Sequence, residues 1–366
     1  MEGPRAATAG DLPSIGVLVD TVFNCPSEGW MIDQFPTLFN ERNVDNLLVV
    51  ADGATVVSHV GMVERWASLA GCAVRVACIG AVATYESYRG RGYASQLFAR
   101  ACEKAKAGGV DIMMISGGKG LYRGNGAADV GRDFKARLDI AAARTIADPQ
   151  AQLRLFADDD LPACAAAYDR KTARYIRGLH DWRDYLRSRA ITNGDQRIHV
   201  VVRNGATCGY MVHARPNKEG RVDIVEFAGE DTAVAGTAHR ILEDTGAQAV
   251  QFHLQSGDTV AQACFRAAGV ELQPACTLGT LLLINFPQLM RRLAPLFESR
   301  AGFEASLDFA EDNGSFVFAC GGLRQVVSSK IEAAQRVFGH RDVPAWDGAL
   351  GGLFPAPTLW YGLNYV

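Results

Sequence analysis

The sequence predicts a mixed α/β (α+β) protein in which one fold, a mixed central sheet flanked by helices, occurs twice. A short strand, an aspartate and a proline at a helix start occur within residues 5–13 and again within residues 154–162. The hairpin signal Asp52-Gly53 has a counterpart at Asn204-Gly205. The offsets, from residue 5 to 154 and from residue 52 to 204, are 149 and 152 residues. A repeat of that length indicates a duplicated domain and not a solenoid.

Three domains are predicted, at residues 1–148, 149–276 and 277–366. The third begins where the repeated pattern ends and has the elements of a small α+β domain. A helix is predicted from Phe286 to Phe297, with a kink or stop just before Pro295. Strands at residues 304–309 and 315–319 should form a hairpin, followed by a helix over residues 328–338. The apolar tail, residues 354–366, is expected to fold back onto the body of the protein.

The composition is that of a globular chain of 366 residues, with 48% hydrophobic and 21% charged residues. The net charge of −3 argues against nucleic acid as the main partner. Nine cysteines are scattered without C-x-x-C pairs, which is typical of reduced thiols in a cytoplasmic protein. The N-terminal residues lack the apolar segment of a signal peptide, and no apolar run is long enough to span a membrane. Seven histidines are dispersed without metal-ligand spacing, so we expect no metal.

The most informative local motif is Tyr88-Arg89-Gly90-Arg91-Gly92-Tyr93-Ala94. It follows an apolar stretch of strand length, residues 76–84, and precedes apolar residues at helical spacing. Unpaired N–H groups at a helix start, together with two arginines, would attract a phosphate. A dinucleotide motif is disfavoured because Ser95 stands where its third glycine should be, and residues 117–120 do not supply a Walker loop. A glycine-rich turn with solvated arginines is the alternative.

The second copy differs at the matching place. Its predicted strand, residues 222–228, leads into Gly229-Glu230-Asp231-Thr232, whose two carboxylates would repel a pyrophosphate. We therefore expect one phosphate-binding site, in the first copy. The second copy would build the wall of the substrate cleft and subunit contacts.

The pattern Arg89-x-x-Gly92-x-Ala94 resembles the loop that holds the acetyl-CoA pyrophosphate in the GNAT superfamily of N-acetyltransferases. The order of parts along the whole chain resembles the Eis-like (enhanced intracellular survival) acetyltransferases. This resemblance implies tandem GNAT folds, the second one degenerate, and a small sterol-carrier-protein-like C-terminal domain. It also implies acetyl-CoA as co-substrate, held by Val82, Ala83, Thr84, Arg89, Gly90, Arg91, Gly92, Tyr93, Ala94, Ser116 and Gly117.

The same resemblance implies a general acid at Tyr122. The family ending Y-x-x-x-G-F is matched by Tyr122 and Gly126, but Ala127 stands in place of the phenylalanine. A phenol of pKa ~10 could protonate the leaving CoA thiolate, which resembles a free thiol of pKa ~8.5. A packed aromatic residue with a solvated hydroxyl is the alternative.

Two further site assignments follow from the resemblance. In Eis-like enzymes the C-terminal carboxylate is the base, which here would be that of Val366; a docked tail is the alternative. Glu28 and Trp30, in the loop after the first helix, fall where the family lines its amine pocket. An anionic and an aromatic residue suit a cation, and a capped surface loop is the alternative.

These parts predict an acetyl-CoA-dependent N-acetyltransferase that works by direct attack in a ternary complex, because no cysteine is placed as a covalent relay. The primary amine must lose a proton, and N–H groups of the strand at residues 76–84 would stabilise the oxyanion. The acceptor stays open between an aminoglycoside-like amino sugar, a polyamine and a lysine amine, as a small molecule or in a peptide. The resemblance suggests a homo-oligomer. A non-catalytic acyl-CoA-binding or lipid-carrier protein is the alternative function.

Overall fold

The computed structural model describes residues 1–188, 197–302 and 306–366, so the first residues of the strand predicted at 304–309 lie outside it. The strands are β1 Glu2–Ala6, β2 Leu47–Asp52, β3 Thr55–Leu69, β4 Cys72–Thr84, β5 Ile112–Ile115, β6 Asp133–Leu138, β7 Ala151–Leu155, β8 Ala173–Tyr175, β9 Arg197–Arg203, β10 Ala206–His213, β11 Arg221–Gly229, β12 Ala249–Leu254, β13 Leu272–Ala275, β14 Thr280–Leu283, β15 Leu307–Asp312, β16 Ser315–Cys320 and β17 Leu323–Val327. The helices are α1 Leu12–Phe23, α2 Trp30–Gln34, α3 Tyr93–Ala107, α4 Gly120–Arg123, α5 Ile140–Thr145, α6 Leu161–Tyr168, α7 Leu179–Arg187, α8 Asp231–Gly236, α9 Ala238–Thr245, α10 Thr259–Ala267, α11 Phe286–Ala301, α12 Lys330–Phe338 and α13 Gly348–Leu353.

The first sheet has the strand order β1-β2-β3-β4-β5-β14, and β8 pairs with β3. β4 and β5 are parallel, with α3 between them in the chain, whereas β3 and β14 are antiparallel to their neighbours. Alternate residues of each strand face opposite cores. In β2, Val49 belongs to the core that contains α1 and α11, and Leu48 belongs to the core that contains α3.

The second sheet has the order β13-β6-β12-β11-β10-β9-β7. Its parallel pair, β11 and β12, is separated in the chain by α8 and α9, as β4 and β5 are by α3. The two sheets therefore repeat one arrangement, which confirms the predicted tandem fold of mixed sheets flanked by helices.

The repeated strand–aspartate–proline signature has a physical basis. In both copies an arginine of the first strand forms a bidentate ion pair with the aspartate before the helix: Arg5 with Asp11 at 2.8 and 3.0 Å, and Arg154 with Asp160 at 2.6 and 2.7 Å. Hydrogen bonds from the arginine hold the pKa of both carboxyl groups well below the usual range. The pair connects the first strand to the start of the helix in each copy.

Two strands cross the predicted domain boundaries. β6 precedes residue 148 but pairs with β12 and β13 in the second sheet, and β14 follows residue 276 but pairs with β5 in the first. The hydrophobic pattern identifies a strand without specifying which sheet edge it joins. The three-part division remains a prediction about folding units, since the hydrogen-bonded sheets do not follow it.

From Phe286 onward the chain forms a three-stranded antiparallel sheet, β15-β16-β17, with α11, α12 and α13 around it. The predicted stop before Pro295 is wrong, because α11 continues to Ala301. Pro295 and Arg291 are both exposed, so water can satisfy the carbonyl that the proline leaves without a donor. Aromatic rings fill the interior: Phe297 lies 4.8 Å from Phe354 between ring centroids, and Phe318 lies 4.9 Å from Trp346.

Within the described ranges, no helix combines the length and the apolar character needed to cross a bilayer. The tail after α13 is almost entirely buried, as predicted, and it runs along both sheets. The Ala356 amide donates to Val337, and the Trp360 indole donates to the Val225 carbonyl at 2.7 Å. The chain then reaches β4, where Val366 is buried.

Candidate active site

The site lies where β4 and β5 separate. The two strands are paired from Val76–Ile112 to Ile79–Ile115, where β5 ends, while β4 continues to Thr84 beside β3. Residues 80–84 therefore have one edge without a strand partner among the described residues. Such an edge offers backbone N–H and C=O groups to an extended ligand.

A β-bulge shapes this edge. His59 pairs with Ala83 but Gly61 pairs with Gly80, so β4 carries one extra residue, and Ala81 has a φ of 51°. The Ala81 carbonyl accepts a hydrogen bond from Nδ1 of His59 at 2.8 Å. His59 is fully buried, and burial lowers its pKa to about 4, so the ring is neutral at pH 7. Sequence patterns gave no sign of this role.

The predicted phosphate loop follows β4. Gly90 and Gly92 have φ values of 77° and 78°, a conformation that favours glycine, and α3 starts at Tyr93. No described group accepts a hydrogen bond from the N–H groups of residues 90–95, although Gln96 donates to Gly92 at 3.0 Å. These N–H groups and the positive end of the helix dipole suit an anion.

Both arginines of this loop are exposed. Nε of Arg89 donates to the Thr84 carbonyl at 3.3 Å, and the Arg91 guanidinium lies 5.0 Å from the centroid of the Tyr88 ring. Held in this way, each guanidinium keeps N–H groups for a phosphate.

The matching loop of the second copy carries two acidic side chains, Glu230 and Asp231, that already have partners in the protein. Glu230 pairs with Arg203 at 2.9 Å, and Asp231 accepts from the Ala261 amide at 3.2 Å. Burial raises the pKa of Asp231 above its usual range, as expected for an acid shielded from water at this helix start. An additional anion would meet like charge there.

A cavity of about 610 Å³ opens beside the separated strands. It brings together six of the predicted site residues: Trp30, Val82, Ser116, Gly117, Tyr122 and Val366. It also contains residues that the sequence analysis did not select: Phe23, Asn24, Cys25, Pro26, Met31, Phe35, Ile79, Gly80, Ala81, Lys119 and Tyr365. For Phe23 and Phe35, the grouping of aromatic residues near Trp30 in the sequence is the signal that could have indicated a place in the site.

Besides the loop at residues 89–94, three predicted residues are not among those that line this cavity: Glu28, Ala83 and Thr84. Glu28 is exposed and borders a separate groove with Pro13 and Tyr85, so the structure does not bring it to the cavity that contains Trp30. The left-handed Gly29 and the start of α2 at Trp30 explain this, because they turn neighbouring residues in different directions. Ala83 is buried in the core that contains α1 and α11, and Thr84 Oγ1 contacts Ser58 Oγ at 2.8 Å. Their contribution to a ligand would come from the backbone.

Tyr122 lies on α4 with its ring edge-on to Phe98, at a centroid distance of 5.3 Å. Its hydroxyl makes no hydrogen bond to a described residue. Burial raises the pKa of Tyr122 above its ordinary value, so the hydroxyl is protonated at neutral pH. A protonated phenol without a protein partner can donate a proton to a ligand.

The C-terminal residue, Val366, lies against Gly80 at the β-bulge of β4. A Cβ added to Gly80 would lie 2.6 Å from a backbone oxygen of Val366, so only a glycine leaves room for this carboxyl group. The ring of Tyr365 packs against Phe35 at a centroid distance of 6.3 Å and against Tyr361 at 5.6 Å. The carboxyl group of Val366 and the Tyr122 ring are thus walls of one cavity.

The second copy holds the tail in this position. The Glu226 carboxylate accepts from the Leu363 amide at 3.0 Å, and Nε of Arg177 donates to the Asn364 side chain at 2.7 Å. The Asn364 amide in turn donates to the Tyr185 hydroxyl at 2.6 Å. A Cβ on Gly362 would collide with the Glu226 carboxylate, and Gly362 has a φ of 51°. The sequence analysis missed this network, since its members are far apart in the chain.

Cys25, which the sequence analysis did not single out, lines the cavity. Burial, and then the charge of Asp20, raise the pKa of Cys25 to about 11, so it is a thiol at neutral pH and a poor nucleophile. The described residues contain no group of three His, Cys, Asp or Glu side chains arranged to hold a metal.

The first part of the chain matches a family of known enzymes. Residues 4–127 match the family model of the acetyltransferase (GNAT) domain. No curated protein matches the sequence.

Solved structures share the fold at low identity. A GCN5-related N-acetyltransferase from Anabaena variabilis is 15% identical, with a TM-score of 0.64 over 88% of this chain and 84% of that one. A probable N-acyltransferase from Enterococcus faecalis is 17% identical, with a TM-score of 0.64 over 90% and 85%. Eis1 from Mycobacterium abscessus is 12% identical, with a TM-score of 0.59 over 96% of both chains. The resemblance to GNAT and Eis-like proteins is therefore confirmed.

Proposed function

We propose that this chain, an acetyltransferase whose residues 4–127 form a GNAT domain, transfers the acetyl group of acetyl-CoA to a primary amine by direct attack. The observation that carries the proposal is that Tyr122, the carboxyl group of Val366 and the unpaired edge of β4 border one cavity. This cavity lies at the end of a strand that leads into a loop of free N–H groups and two arginines.

The residues present fit acetyl-CoA. The N–H groups of residues 90–95, with Arg89 and Arg91, would bind the pyrophosphate. The free edge of Val82, Ala83 and Thr84 would pair with the amide groups of the pantetheine arm, and Ser116 and Gly117 would lie opposite it. The carboxylates of Glu230 and Asp231 at the second loop support a single acetyl-CoA site per chain.

The chemistry follows from the two titratable groups. The amine must be neutral to attack the thioester carbonyl, and the Val366 carboxylate would take its proton, directly or through water. The attack forms the new C–N bond and a tetrahedral oxyanion, which N–H groups of residues 80–82 would stabilise. Collapse breaks the C–S bond, and Tyr122 would donate its proton to the departing thiolate.

The alternative, a lipid-carrier protein, has less support. The interior of the region after Phe286 is filled by aromatic rings, and Phe354 contacts both Phe297 and Phe318 there. The described cysteines are all free, which supports a cytoplasmic protein. A homo-oligomer remains an expectation from the resemblance.

The proposal is tested by mixing the protein with acetyl-CoA and a panel of primary amines, and by measuring thiol release and the mass of the amine. We expect CoA release that depends on an amine and an acetylated amine as product. Binding of acetyl-CoA without release in the presence of any amine would overturn the proposal in favour of a non-catalytic acyl-CoA-binding protein.

A further inference from the structure

The acceptor side of the cavity is apolar and aromatic. Four rings line it, those of Phe23, Trp30, Phe35 and Tyr365, together with the side chain of Met31. Phe23 is 47% exposed, at the end of α1. Aromatic side chains grouped at the mouth of a cavity are typical of sites that bind the apolar part of a small molecule.

The loop that presents these rings is held in place. Asp20 accepts hydrogen bonds from the Gly29 amide at 2.6 Å and the Met31 amide at 2.9 Å, which ties the start of α2 to α1. The ring of Phe35 also packs against that of Tyr365 in the tail. The aromatic wall is therefore preorganised, which reduces the entropy that binding would cost.

The charges of the cavity do not suit a polycation. No aspartate or glutamate side chain is among the described residues that line it, and the carboxyl group of Val366 is its source of negative charge. Asp20 is buried behind the wall and bonded to two amides, and Glu28 borders the outer groove. Lys119 lines the cavity and adds a positive charge. A ligand with several ammonium groups would lose hydration without gaining anionic partners.

We propose, on the basis of the proposed function, that the acceptor is a primary monoamine with an aromatic or other apolar body, and not a polyamine or an aminoglycoside-like amino sugar. Its body would lie against Trp30, Phe23 and Phe35, and its single nitrogen would face the Val366 carboxylate. The expectation of an anionic wall at Glu28 is replaced by an apolar wall.

The test compares 2-phenylethylamine and hexylamine with spermidine and kanamycin, by binding to the CoA-loaded protein and by turnover. We expect kcat/KM for 2-phenylethylamine to exceed that for spermidine at least ~10-fold. Each methylene that an apolar pocket binds changes kcat/KM by ~10-fold or more, and a phenyl ring buries more apolar surface than one methylene. The affinities should follow the same order. Equal or tighter binding of spermidine or kanamycin would overturn the inference. Binding in the expected order without turnover would support it and would overturn the proposed function instead.

Variants locate the effect. Trp30→Ala should lower kcat/KM for 2-phenylethylamine about 10-fold, and Trp30→Leu should lower it less, because some apolar surface remains. Trp66→Ala is the matched control, since Trp66 is a partly exposed tryptophan that does not line the cavity.

Lys119→Gln should raise kcat/KM for spermidine relative to that for 2-phenylethylamine. Lys218→Gln, at an exposed site of the second copy, should not change this ratio. An unchanged amine preference in folded Trp30 and Lys119 variants would contradict the inference.

Discussion

Arg177 and Glu226 form a buried bidentate ion pair, with distances of 2.8 and 2.7 Å, beside the last residues of the chain. Glu226 also accepts from the Tyr210 hydroxyl at 2.6 Å and from the Leu363 amide, while Arg177 donates to Asn364. The pair therefore connects the second sheet to the segment that ends in the cavity of the first. The second copy, whose matching loop carries Glu230 and Asp231, thus holds the segment that ends at the candidate site of the first.

Glu226→Gln should destabilise the protein by ~3–5 kcal/mol, because it leaves the buried Arg177 charge without an anion. Chemical denaturation would measure this, with Glu243→Gln, at an exposed ion pair, as a control that changes stability little. Folded Glu226→Gln should also lose turnover while its KM for acetyl-CoA stays near the parent value, since the tail and not the phosphate loop is displaced. Parent turnover in this variant would contradict the positioning role.

Because Glu226 is ionised in the folded protein, the free energy of unfolding should depend on pH in the acid range. The Arg177 charge holds the pKa of Glu226 below its ordinary value of 4.5 despite burial. The contribution of the ionised Glu226 carboxylate to the free energy of unfolding is therefore fully present above about pH 4.5. It is lost as the pH falls through the pKa of Glu226 in the folded protein. Denaturation curves of Glu226→Gln should fall less steeply than those of the parent in that acid range.

Tyr122→Phe should lower kcat by ~100-fold or more, the usual contribution of a general acid, with little change in the KM for acetyl-CoA. Thiol release measures both constants. Tyr361→Phe is a matched control, because the Tyr361 hydroxyl is buried without a hydrogen-bond partner among the described residues. Equal turnover in the Tyr122 variant and this control would remove Tyr122 from the mechanism.

Arg89→Ala should raise the KM for acetyl-CoA about 10-fold, the effect of losing roughly 1.4 kcal/mol of binding free energy. The effect should shrink at high salt, since exposed charges are screened. Arg100→Ala serves as the control, because Arg100 is exposed on α3 and pairs with Glu103. An unchanged KM at low salt would contradict the assignment of the loop.

His59 should make the protein sensitive to mild acid. Its folded pKa of about 4 lies below the ordinary value of 6.5, so the unfolded chain binds a proton first. The contribution of the neutral His59 ring to the free energy of unfolding is fully present above about pH 6.5. It decreases as the pH falls toward 4, by roughly 3 kcal/mol at most. His59→Gln should flatten that slope, while His180→Gln, at an exposed position, should not.

Some of the site could be predicted because its signals are local. The Arg5–Asp11 and Arg154–Asp160 pairs lie six residues apart, and the loop at residues 88–94 is one continuous motif. The sequence did not show that Glu28 and Trp30 border different cavities, because the left-handed conformation of Gly29 between them depends on the folded loop. Arg177, Glu226 and Asn364 could not be found from the sequence, because only the packed fold brings them together. The same reason hid the pairing of β6 and β14 with sheets across the predicted boundaries.

The most direct test of the central claim is the turnover of a chain extended by a few glycine and serine residues after Val366. The carboxyl group of Val366 lies against Gly80, and an extension would convert it into a peptide carbonyl that cannot accept a proton as a base. The account predicts folded protein that binds acetyl-CoA with near-parent affinity but has lost at least ~100-fold in kcat, as expected when a general base is removed. An extended protein with full turnover would show that the Val366 carboxylate is not the base and that the tail is only docked.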